Sequence, residues 1–478
     1  MPSSINGSHI RKCWWQHWLA QVFALSAPLL IVAIVAYYAV ERTLGEREWK
    51  KYESAARARG VPLRIEDYVS REVPDEENYA KAPIFHRIIH EPGFADEIDR
   101  RLTLPGLPKK FGEPAQVPFD LLATQQAFVK ARWIASASDD PAADVLTGLT
   151  RFDDLLAQVR EASMRPAAKW PSNADFGKAR YMNVGILRKF SIIFAHRARA
   201  LLEKGRPEEA LEELRHCLRA ARAMENEPMY LAHFFRTSIW TLYLMVAEQG
   251  IAANQWTDAE LKALATEAPQ FDVFRSAALG LATERFYGNY AFDAIAAADR
   301  DAIAKLFEGS GLTPTQALYI IPQGWIRRDQ VDYNRLVDMD DEDVDVIQRR
   351  IKPSYGRTEK ILNSYVSTHI GQIRHTVAWS MSNPTRGEAY RTGLKYTQVQ
   401  ALQIFTAIAR SHRAGNKTPL NLASLVPNFL KEVPLDVMDG EPLRYRRTDN
   451  GGCLVWSIAG NRVDDDGKSG NQKIQLEP

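Results

Sequence analysis

The chain has 478 residues, of which 45% are hydrophobic and 25% are charged. These values are close to the averages for folded globular proteins, so they exclude a chain that is disordered throughout. The formal net charge of +2 is too small to indicate a nucleic-acid-binding surface or an acidic tail. The length predicts two or three domains.

The N-terminal region contains one segment that departs from this average. Residues 19–40 carry no charged side chain, and as an α-helix they span about 33 Å, close to the thickness of a bilayer core. Aromatic side chains of the kind found at membrane interfaces flank the segment: Trp14, Trp15, Trp18, Tyr37 and Tyr38. We therefore predict an N-terminal tail over 1–18, a transmembrane helix over 19–40 and a helical stalk over 41–60.

Two alternatives to a membrane anchor are a buried core helix and a cleaved signal peptide. Cleavage after Ala36 or Ala39 would place the bulky Ile34 or Tyr37 at the −3 position, where signal peptidase sites carry small residues. The sequence therefore favours an uncleaved anchor. Basic residues are more numerous after the span than before it, which favours a cytoplasmic body, although long domains are translocated largely regardless of this bias.

The middle of the chain falls into two regions. Residues 61–117 contain many prolines separated by short apolar pieces, which is typical of a linker or wrapping segment. Residues 118–389 show helical periodicity almost throughout and predict one large all-helical domain. One helical hairpin is clear within it, because Gly205 suits the end of a helix and Pro207 suits the first turn of the next.

This hairpin carries part of a repeat pattern. The letters ALLEKGRPEEALEEL, residues 200–214, resemble one tetratricopeptide-type helix pair, and that resemblance implies a helical scaffold for binding other proteins. A solenoid needs at least about three copies, and the sequence shows no second copy at a fixed period. A generic helical bundle is therefore the favoured interpretation.

Known templates for catalysis and metal binding do not match the sequence. His86 and His90 are one helical turn apart, but Arg87 occupies the position where a zinc peptidase carries glutamate. Cys217 and Cys453 are predicted to be free buried thiols, with a single disulfide between them as the alternative. We assign no catalytic residue and no organic cofactor from the sequence.

Clustered charges and two aromatic residues are candidate contact points for a partner. Residues 178–202 contain six basic residues and no acidic one, and residues 338–345 read DMDDEDVD. The basic helix could rest on anionic lipid headgroups, but two solvated helix faces are the favoured interpretation. Trp325 and Tyr333 are the two aromatic candidates for a partner contact.

The last region, residues 390–478, combines helical and strand patterns. An apolar stripe predicts a long helix that Gly415 ends. Runs of alternating apolar residues begin near Leu443 and Leu454, and the letters DNGG at 449–452 between them signal a hairpin. The predicted fold class is therefore mainly α: a transmembrane helix, a large helical domain and a small C-terminal α+β module.

This C-terminal module resembles the soluble part of the major pseudopilin of type II secretion systems. The similarity lies in a long helix followed by VPLDVMDGEPLRYR (433–446) and WSIAGNRVDDDG (456–467). In that family a loop after the last strand binds calcium, and the resemblance implies that the matching oxygen donors here are Asn461, Asp464, Asp465 and Asp466. Adjacent carboxylates suit a hard cation, and a solvated acidic turn is the alternative.

The resemblance to pseudopilins is incomplete. The chain lacks the processing site and the early glutamate of a pilin helix, so assembly into a pilus is not implied. With VPDEEN (73–78), PQGWIRRDQ (322–330) and this tail, the whole chain resembles a bacterial family of single-pass anchored proteins with pseudopilin-like ends. Because pseudopilin modules act outside the cytoplasmic membrane, the resemblance implies an extracytoplasmic body.

Together these features favour a non-enzymatic scaffold of the bacterial cell envelope. We expect a single pass through the inner membrane by residues 19–40, envelope proteins as partners, an association with a type II secretion-like system, and no binding of nucleic acid. Calcium is the one cofactor that the resemblance implies. The alternative is an envelope hydrolase with a cleft in the helical domain, which converging titratable residues in a pocket would support.

Overall fold

The computed structural model describes residues 7–68, 72–106, 119–170, 178–299, 321–354, 356–381, 387–449, 451–467 and 473–476. The α-helices, numbered in chain order, are α1 Gly7–Ala58, α2 Pro83–His90, α3 Pro92–Arg101, α4 Leu121–Lys130, α5 Pro141–Leu149, α6 Asp153–Ala162, α7 Lys178–Glu203, α8 Pro207–Arg222, α9 Tyr230–Ala252, α10 Asp258–Glu267, α11 Val273–Ala296, α12 Gln323–Asp343, α13 Arg357–Tyr365, α14 His369–Arg374, α15 Thr376–Met381 and α16 Glu388–Arg413. The strands are β1 Val344–Asp345, β2 Arg350–Ile351, β3 Arg444–Arg447, β4 Cys453–Trp456 and β5 Lys473–Leu476. This content confirms the predicted fold class, mainly α with a small C-terminal α+β region.

The chain divides into two compact units, which are described separately. The first unit comprises Met1–Leu63, Gly288–Arg335 and Ser364–Met381. The second unit comprises Arg64–Tyr287, Leu336–Asn363 and Ser382–Pro478.

Helix α1 is the defining element of the first unit. It runs without a break from Gly7 to Ala58, so the predicted span and stalk are one helix. Leu29, Ile31 and Val35 are 62–69% exposed in the apolar part, whereas Trp49 and Ala56 in the stalk part are buried. Among the described residues, α1 is the one helix long and apolar enough, by length and composition, to cross a membrane.

The stalk part of α1 packs against the start of α12. Arg328 pairs with Glu41 at 2.7 Å between Nη1 and Oε2, and Arg327 pairs with Glu46 at 2.9 Å between Nε and Oε1. These ion pairs explain why the letters PQGWIRRDQ carry two consecutive arginines. Basic residues on α12 meet acidic residues on the stalk.

The core of the second unit is a bundle of long helices. Helices α7, α8 and α9 pack against one another, and α5 lies against α7. The apolar stripe of α7 is buried, including Phe190 and Phe194. The predicted hairpin between α7 and α8 is present: Gly205 has φ +68° at the turn, and Pro207 is the first residue of α8.

Two short helices occupy the region that the sequence assigns to a linker. Proline is tolerated at the first position of a helix because its missing N–H has no helical partner there, and Pro83 and Pro92 begin α2 and α3 in this way. Their apolar side chains, such as Phe85 and Ile98, are buried. Residues 107–117 of the predicted linker lie outside the described residues.

The C-terminal part of the second unit contains α16 and an antiparallel sheet. Helix α16 packs against α9 and α10. Strands β3, β4 and β5 form a sheet in that order, with Arg444 opposite Trp456 and Trp456 opposite Lys473. The predicted hairpin of β3 and β4 is thus present, whereas β5 was not predicted. A second small sheet, β1 and β2, also belongs to this unit.

Candidate functional site

The most connected buried polar cluster of the second unit joins helices α9, α11 and α16. It consists of Tyr230 and His233 on α9, Ser276 on α11, and Glu388 and Arg391 on α16. Tyr230 and His233 are one helical turn apart on α9, and Glu388 and Arg391 are one turn apart on α16, so each of these two helices presents its polar pair on one face. Tyr230, His233, Ser276 and Glu388 are all at least nine-tenths buried.

The hydrogen bonds of this cluster form a chain centred on Glu388. The Tyr230 hydroxyl donates to Glu388 Oε2 at 2.6 Å, and Arg391 Nη2 donates to the same oxygen at 2.8 Å. His233 Nε2 lies 2.9 Å from Glu388 Oε1, and His233 Nδ1 lies 2.8 Å from Ser276 Oγ. With the proton on Nε2, His233 donates to the carboxylate and accepts from the serine hydroxyl.

The charges around Glu388 keep it ionised. Burial alone would raise the pKa of this carboxyl, but the charges and hydrogen bonds of His233 and Arg391 outweigh burial and lower the pKa to about 2. The phenol of Tyr230 shifts the other way, since burial and the neighbouring carboxylate raise its pKa. At neutral pH the cluster therefore holds an ionised Glu388 carboxylate between the side chains of Arg391, Tyr230 and His233.

The order serine, histidine, carboxylate is that of a hydrolase triad, but its setting differs. A catalytic serine must reach a substrate carbonyl, and Ser276 is only 3% exposed. The carboxylate is also shared with Arg391 and Tyr230. These contacts fit a network that fixes three helices, because a buried carboxylate is favourable only when its oxygens are fully paired.

A second buried cluster lies in the first unit. The carboxylate of Asp329 on α12 accepts hydrogen bonds from the His375 ring, 3.0 Å from Nδ1 to Oδ1, and from the backbone N–H of Ala378 at 3.0 Å. The ring of Tyr365 stacks on His375 with centroids 4.4 Å apart. Asp329 is fully buried, so this carboxylate fixes α14 and α15 to α12.

Burial dominates the ionisation of this second cluster. It raises the pKa of Asp329 to about 6, although the hydrogen bonds from His375 and Ala378 act in the opposite direction. The pKa of Asp332, whose Oδ2 lies 3.8 Å from His375 Nδ1, is also raised by burial. The sequence offered no signal for this site, because Asp329 and His375 are far apart in the chain.

An open groove of about 890 Å³ lies in the second unit between residues 119–142 and the ends of α7 and α9. Four of its charged side chains form two ion pairs. Lys204 Nζ lies 2.5 Å from Asp140 Oδ2, and Arg199 Nη2 lies 3.1 Å from Glu203 Oε2. The hydrogen bond from Lys204 lowers the pKa of Asp140. The residues that line the groove are different from those of the buried Ser276 site. The groove therefore does not give access to the hydrogen-bonded chain of Ser276, His233 and Glu388.

The predicted calcium ligands lie in the loop after β4. Asn461, Asp464 and Asp466 are exposed, and Asp465 is half-buried. Asp464 Oδ1 accepts from the Trp456 indole at 2.9 Å, and Asp464 Oδ2 lies 3.6 Å from Arg444 Nε. The hydrogen bond from Trp456 lowers the pKa of Asp464. In the part of the chain that is described, no three His, Cys, Asp or Glu residues are grouped to hold a metal, and calcium binding stays a prediction.

A buried aspartate organises the same module, and sequence reasoning missed it. Asp436 is fully buried and accepts hydrogen bonds from the Ser457 hydroxyl at 2.8 Å, from the Ile458 N–H at 2.9 Å and from Arg444 Nη1 at 3.0 Å. It thereby joins the loop before β3 to the end of β4. The position of this aspartate within VPLDVMDG was the signal that could have identified it.

Three segments of the second unit meet at Arg462: the β1–β2 hairpin, the loop before β3 and the loop after β4. Arg462 donates to the carbonyl oxygens of Met438 and Ile351, the second at 2.8 Å between Nη2 and the oxygen. Each segment also exposes an aliphatic side chain: Ile347 is 95% exposed, Leu435 is 52% exposed and Val463 is 56% exposed. These side chains are candidates for contacts with a protein partner.

The structure corrects one of the predicted contact points. Tyr333 is fully buried in the first unit, where its ring fills the space beside Gly288, so it cannot contact a partner. Trp325 is half-buried.

The basic helix is also less free than its sequence suggests. Lys189 pairs with Asp99 and Arg197 with Glu213, and Arg188 donates to the Ser238 hydroxyl at 2.8 Å. These bases therefore stabilise the second unit by contacts with protein groups. The side chains of Lys178 and Arg180 lie outside the described ones.

The remaining candidates from the sequence are placed as follows. The His86 and His90 rings are exposed, with their centroids 4.4 Å apart, and Arg87 beside them pairs with Glu91. Cys217 and Cys453 are buried and are not joined by a disulfide, and burial raises the pKa of the Cys217 thiol. Both cysteines therefore act as small apolar core residues.

Comparisons with known proteins add no relative to this description. No protein-family model, no curated protein and no solved structure matches the chain. The class of protein is therefore defined by the fold alone: a mainly helical chain that has, among its described residues, one membrane-length helix and a small C-terminal α+β module.

Proposed function

We propose that this chain is a single-pass inner-membrane protein whose body binds other proteins of the bacterial cell envelope. The observation that carries the proposal is helix α1. Its apolar part is exposed over several turns, and its polar part is packed into the first unit. A water-soluble protein rarely exposes such a large apolar surface, whereas lipid is a suitable environment for it.

The alternatives for the apolar segment make different predictions. A core helix would be buried, and Leu29, Ile31 and Val35 are not. A signal peptide would be removed before the stalk. Mass spectrometry of the purified protein should therefore detect a peptide that contains Ala36 and Ala39, and a mature chain beginning at residue 37 or 40 would contradict the anchor.

The orientation of the body follows from the pseudopilin resemblance, and it is open to a direct test. We expect a reporter that is active only outside the cytoplasm to be active when it is fused after Pro478 of the full chain. A cytoplasm-only reporter at the same position is the matched control and should be inactive. The opposite pair of results would place the body in the cytoplasm.

The interaction part of the proposal is supported by the exposed aliphatic side chains of the C-terminal module and of the β1–β2 hairpin. Apolar side chains that protrude from loops lose unfavourable contact with water when a partner covers them. The resemblance to pseudopilins makes components of a type II secretion-like system the expected partners. The tetratricopeptide-like pair α7–α8 is consistent with a binding scaffold, although its own helices are already packed within the bundle.

Site-specific photocrosslinking in living cells tests this interaction. A crosslinking amino acid at Ile347, in the β1–β2 hairpin, or at Val463, in the C-terminal module, should give a discrete adduct, because both side chains are exposed. The same amino acid at Lys262, which is exposed on α10, is the control and should give none. Equal adduct patterns at all three positions, or none at any, would argue against a partner at this module.

The hydrolase alternative has one specific observation in its favour, the hydrogen-bonded chain Ser276, His233 and Glu388. A fluorophosphonate probe labels an activated serine that a substrate can reach. Because Ser276 is buried, we expect the full chain in detergent to remain unlabelled. Labelling that the change Ser276→Ala abolishes would support a hydrolase and contradict the scaffold proposal.

A further inference from the structure

Contacts in the first unit indicate how far several of its residues lie from the membrane surface. The apolar segment of α1 ends at Val40, and Glu41 and Arg42 are the first charged residues after it. Charged groups avoid the hydrocarbon core. If α1 spans the bilayer as proposed, Glu41 therefore marks the boundary between hydrocarbon and headgroups.

Helix α12 begins at this boundary. The backbone of Gly324 lies directly against the carbonyl group of Glu41, and the Arg328 guanidinium pairs with the Glu41 carboxylate at 2.7 Å between Nη1 and Oε2. Asp329 is the next residue along the chain. Since a helix rises 1.5 Å per residue, Asp329 stands at most about 8 Å further along α12 than Gly324.

Asp329 in turn fixes a short segment beside it. Its carboxylate accepts hydrogen bonds from the His375 ring and from the Ala378 N–H, so the end of α14 and the start of α15 lie at this height. The headgroup layer on each side of a bilayer is several ångströms thick. Residues 366–381, which we call the interfacial segment, are therefore held next to this layer.

The interfacial segment exposes apolar and aromatic side chains, as is typical of a surface at the headgroup layer. Ile370 is 70% exposed, Ile373 is 52% exposed and Trp379 is 44% exposed. Tryptophan is enriched at membrane interfaces, where an amphipathic ring meets both lipid and water. These three residues would otherwise leave large apolar groups in contact with water.

The charge of the segment is also compatible with lipid. Residues 361–387 contain no aspartate or glutamate, and Arg374 lies in the middle of the interfacial segment. Anionic headgroups repel carboxylates, but they do not repel a segment that has a basic residue and no acidic one. The neighbouring α12 keeps its own carboxylates Asp329 and Asp332 buried or half-buried against His375.

We infer that the interfacial segment is a second membrane contact, in which Ile370, Ile373 and Trp379 enter the lipid headgroup region of the membrane that α1 spans. This inference rests on the proposed membrane anchor. It goes beyond that anchor because it assigns a lipid-binding surface to the folded part of the first unit. Shallow insertion of a few apolar side chains is the usual mode of binding for such surfaces.

Fluorescence quenching of a single labelled cysteine tests the inference. The full chain carries Cys13→Ser, and Cys217 and Cys453 are buried, so a bimane label reacts at an introduced cysteine only. The protein is placed in nanodiscs of phosphatidylcholine and phosphatidylglycerol, with a nitroxide on the lipid headgroup or on the upper acyl chain. Iodide serves as the quencher from water.

Four labelled positions separate the outcomes. Ile373→Cys reports on the interfacial segment, and Ile370→Cys repeats the measurement at a second position. Val35→Cys reports on the span. Arg57→Cys is exposed at the far end of the stalk, about 24 Å along the helix from Glu41, and is the control for a site in water.

We expect the nitroxide lipids to remove most of the bimane fluorescence at positions 35, 370 and 373 and little at position 57. Quenching of 35 without quenching of 370 and 373 would overturn the inference and leave the anchor intact. In that case, iodide quenching at positions 370 and 373 would show that these positions are in contact with water. Protection of both positions from iodide and from the nitroxide lipids would show that another protein covers them. Absence of quenching at 35 would refute the anchor itself, and the inference would fall with it.

Discussion

Gly45 and Gly324 lie backbone to backbone where α1 crosses α12. A Cβ atom on Gly45 would overlap the carbonyl group of Gly324, and a Cβ atom on Gly324 would overlap the carbonyl group of Glu41. Only glycine at both positions permits this distance. The close approach also brings Arg327 and Arg328 to the stalk carboxylates Glu46 and Glu41.

The first prediction concerns this crossing. Gly324→Ala should force α12 away from α1 and lengthen both ion pairs, because the atoms that it meets belong to the backbone and cannot rotate away. We expect a loss of about 1–3 kcal/mol in stability, as for other overpacked sites. The thermal midpoint of the full chain in detergent measures it. Gly93→Ala in α3, where a Cβ meets nothing within 4 Å, is the control and should leave the midpoint unchanged.

The second prediction concerns the buried carboxylate of the second unit. The pKa of Glu388 is lowered to about 2, so its contribution to stability is present above its unfolded pKa and is lost as the pH falls towards 2. Glu388→Gln should remove one partner of a buried ion pair and reduce the free energy of unfolding by about 3–5 kcal/mol at pH 7.

Urea unfolding at pH 7, 5 and 3 measures both effects. The stability of the wild-type chain should fall over this series, and that of Glu388→Gln should change less. The exposed residue Glu359 supplies the control variant Glu359→Gln, which should follow the wild-type curve. Equal pH dependence in the wild type and Glu388→Gln would show that Glu388 does not couple to folding.

The third prediction concerns Asp329, the buried carboxylate of the first unit, whose pKa is shifted in the opposite direction to that of Glu388. The pKa of Asp329 is raised to about 6, so the folded chain favours the protonated form, and stability is lost as the pH rises from about 4 through 6. Asp329→Asn cannot ionise, and its thermal midpoint should vary less over this range. It should also be less stable at pH 4 by about 1–2 kcal/mol, because an amide nitrogen replaces a hydrogen-bond acceptor.

Asp299→Asn, at an exposed position of the first unit, is the control for this measurement. It should retain the pH dependence of the wild type. A wild-type midpoint that stays constant between pH 4 and pH 6 would disprove the role of Asp329.

The fourth prediction concerns calcium. The pseudopilin resemblance predicts that calcium raises the thermal midpoint of the full chain, and that Asp464→Ala with Asp466→Ala abolishes this increase. The hydrogen bond from Trp456 to Asp464 means that the double variant should also be less stable without calcium. The calcium-dependent shift within each protein is therefore the quantity to compare. Magnesium is the control ion, since it requires a stricter octahedral geometry, and a wild-type midpoint insensitive to calcium would refute the site.

Features with a local cause were predictable from the sequence. The helix over the span and stalk follows from the apolar run and the charged, helix-prone residues after it, because Pro28 is tolerated inside a membrane helix. The α7–α8 hairpin follows from Gly205 and Pro207. A capping box formed by Thr257 and Glu260, three residues apart in sequence, starts α10, and the alternation near Leu443 and Leu454 identified β3 and β4.

Features that depend on distant residues were not predictable. His233 meets Glu388 and Asp329 meets His375 only after the helices have packed, and single acidic or histidine residues in a helical pattern carry no pairing signal. Gly45 and Gly324 are isolated glycines in sequence. The prolines of residues 61–117 predict breaks in helical structure, but Pro83 and Pro92 begin helices. Proline occurs both after the end of a helix and in its first turn, so the residue alone does not distinguish the two.

The continuity of α1 makes the sequence between Val40 and Gly45 a fixed spacer. Each residue added there would turn the glycine contact by about 100° around the helix axis and shift it by about 1.5 Å along the axis. A flexible linker would absorb such a change, but a helix transmits it. If α1 spans the membrane, the angle of the glycine contact around the helix axis sets which side of the first unit faces the lipid. A change in length between Val40 and Gly45 is therefore far less tolerable than a change in length in a loop.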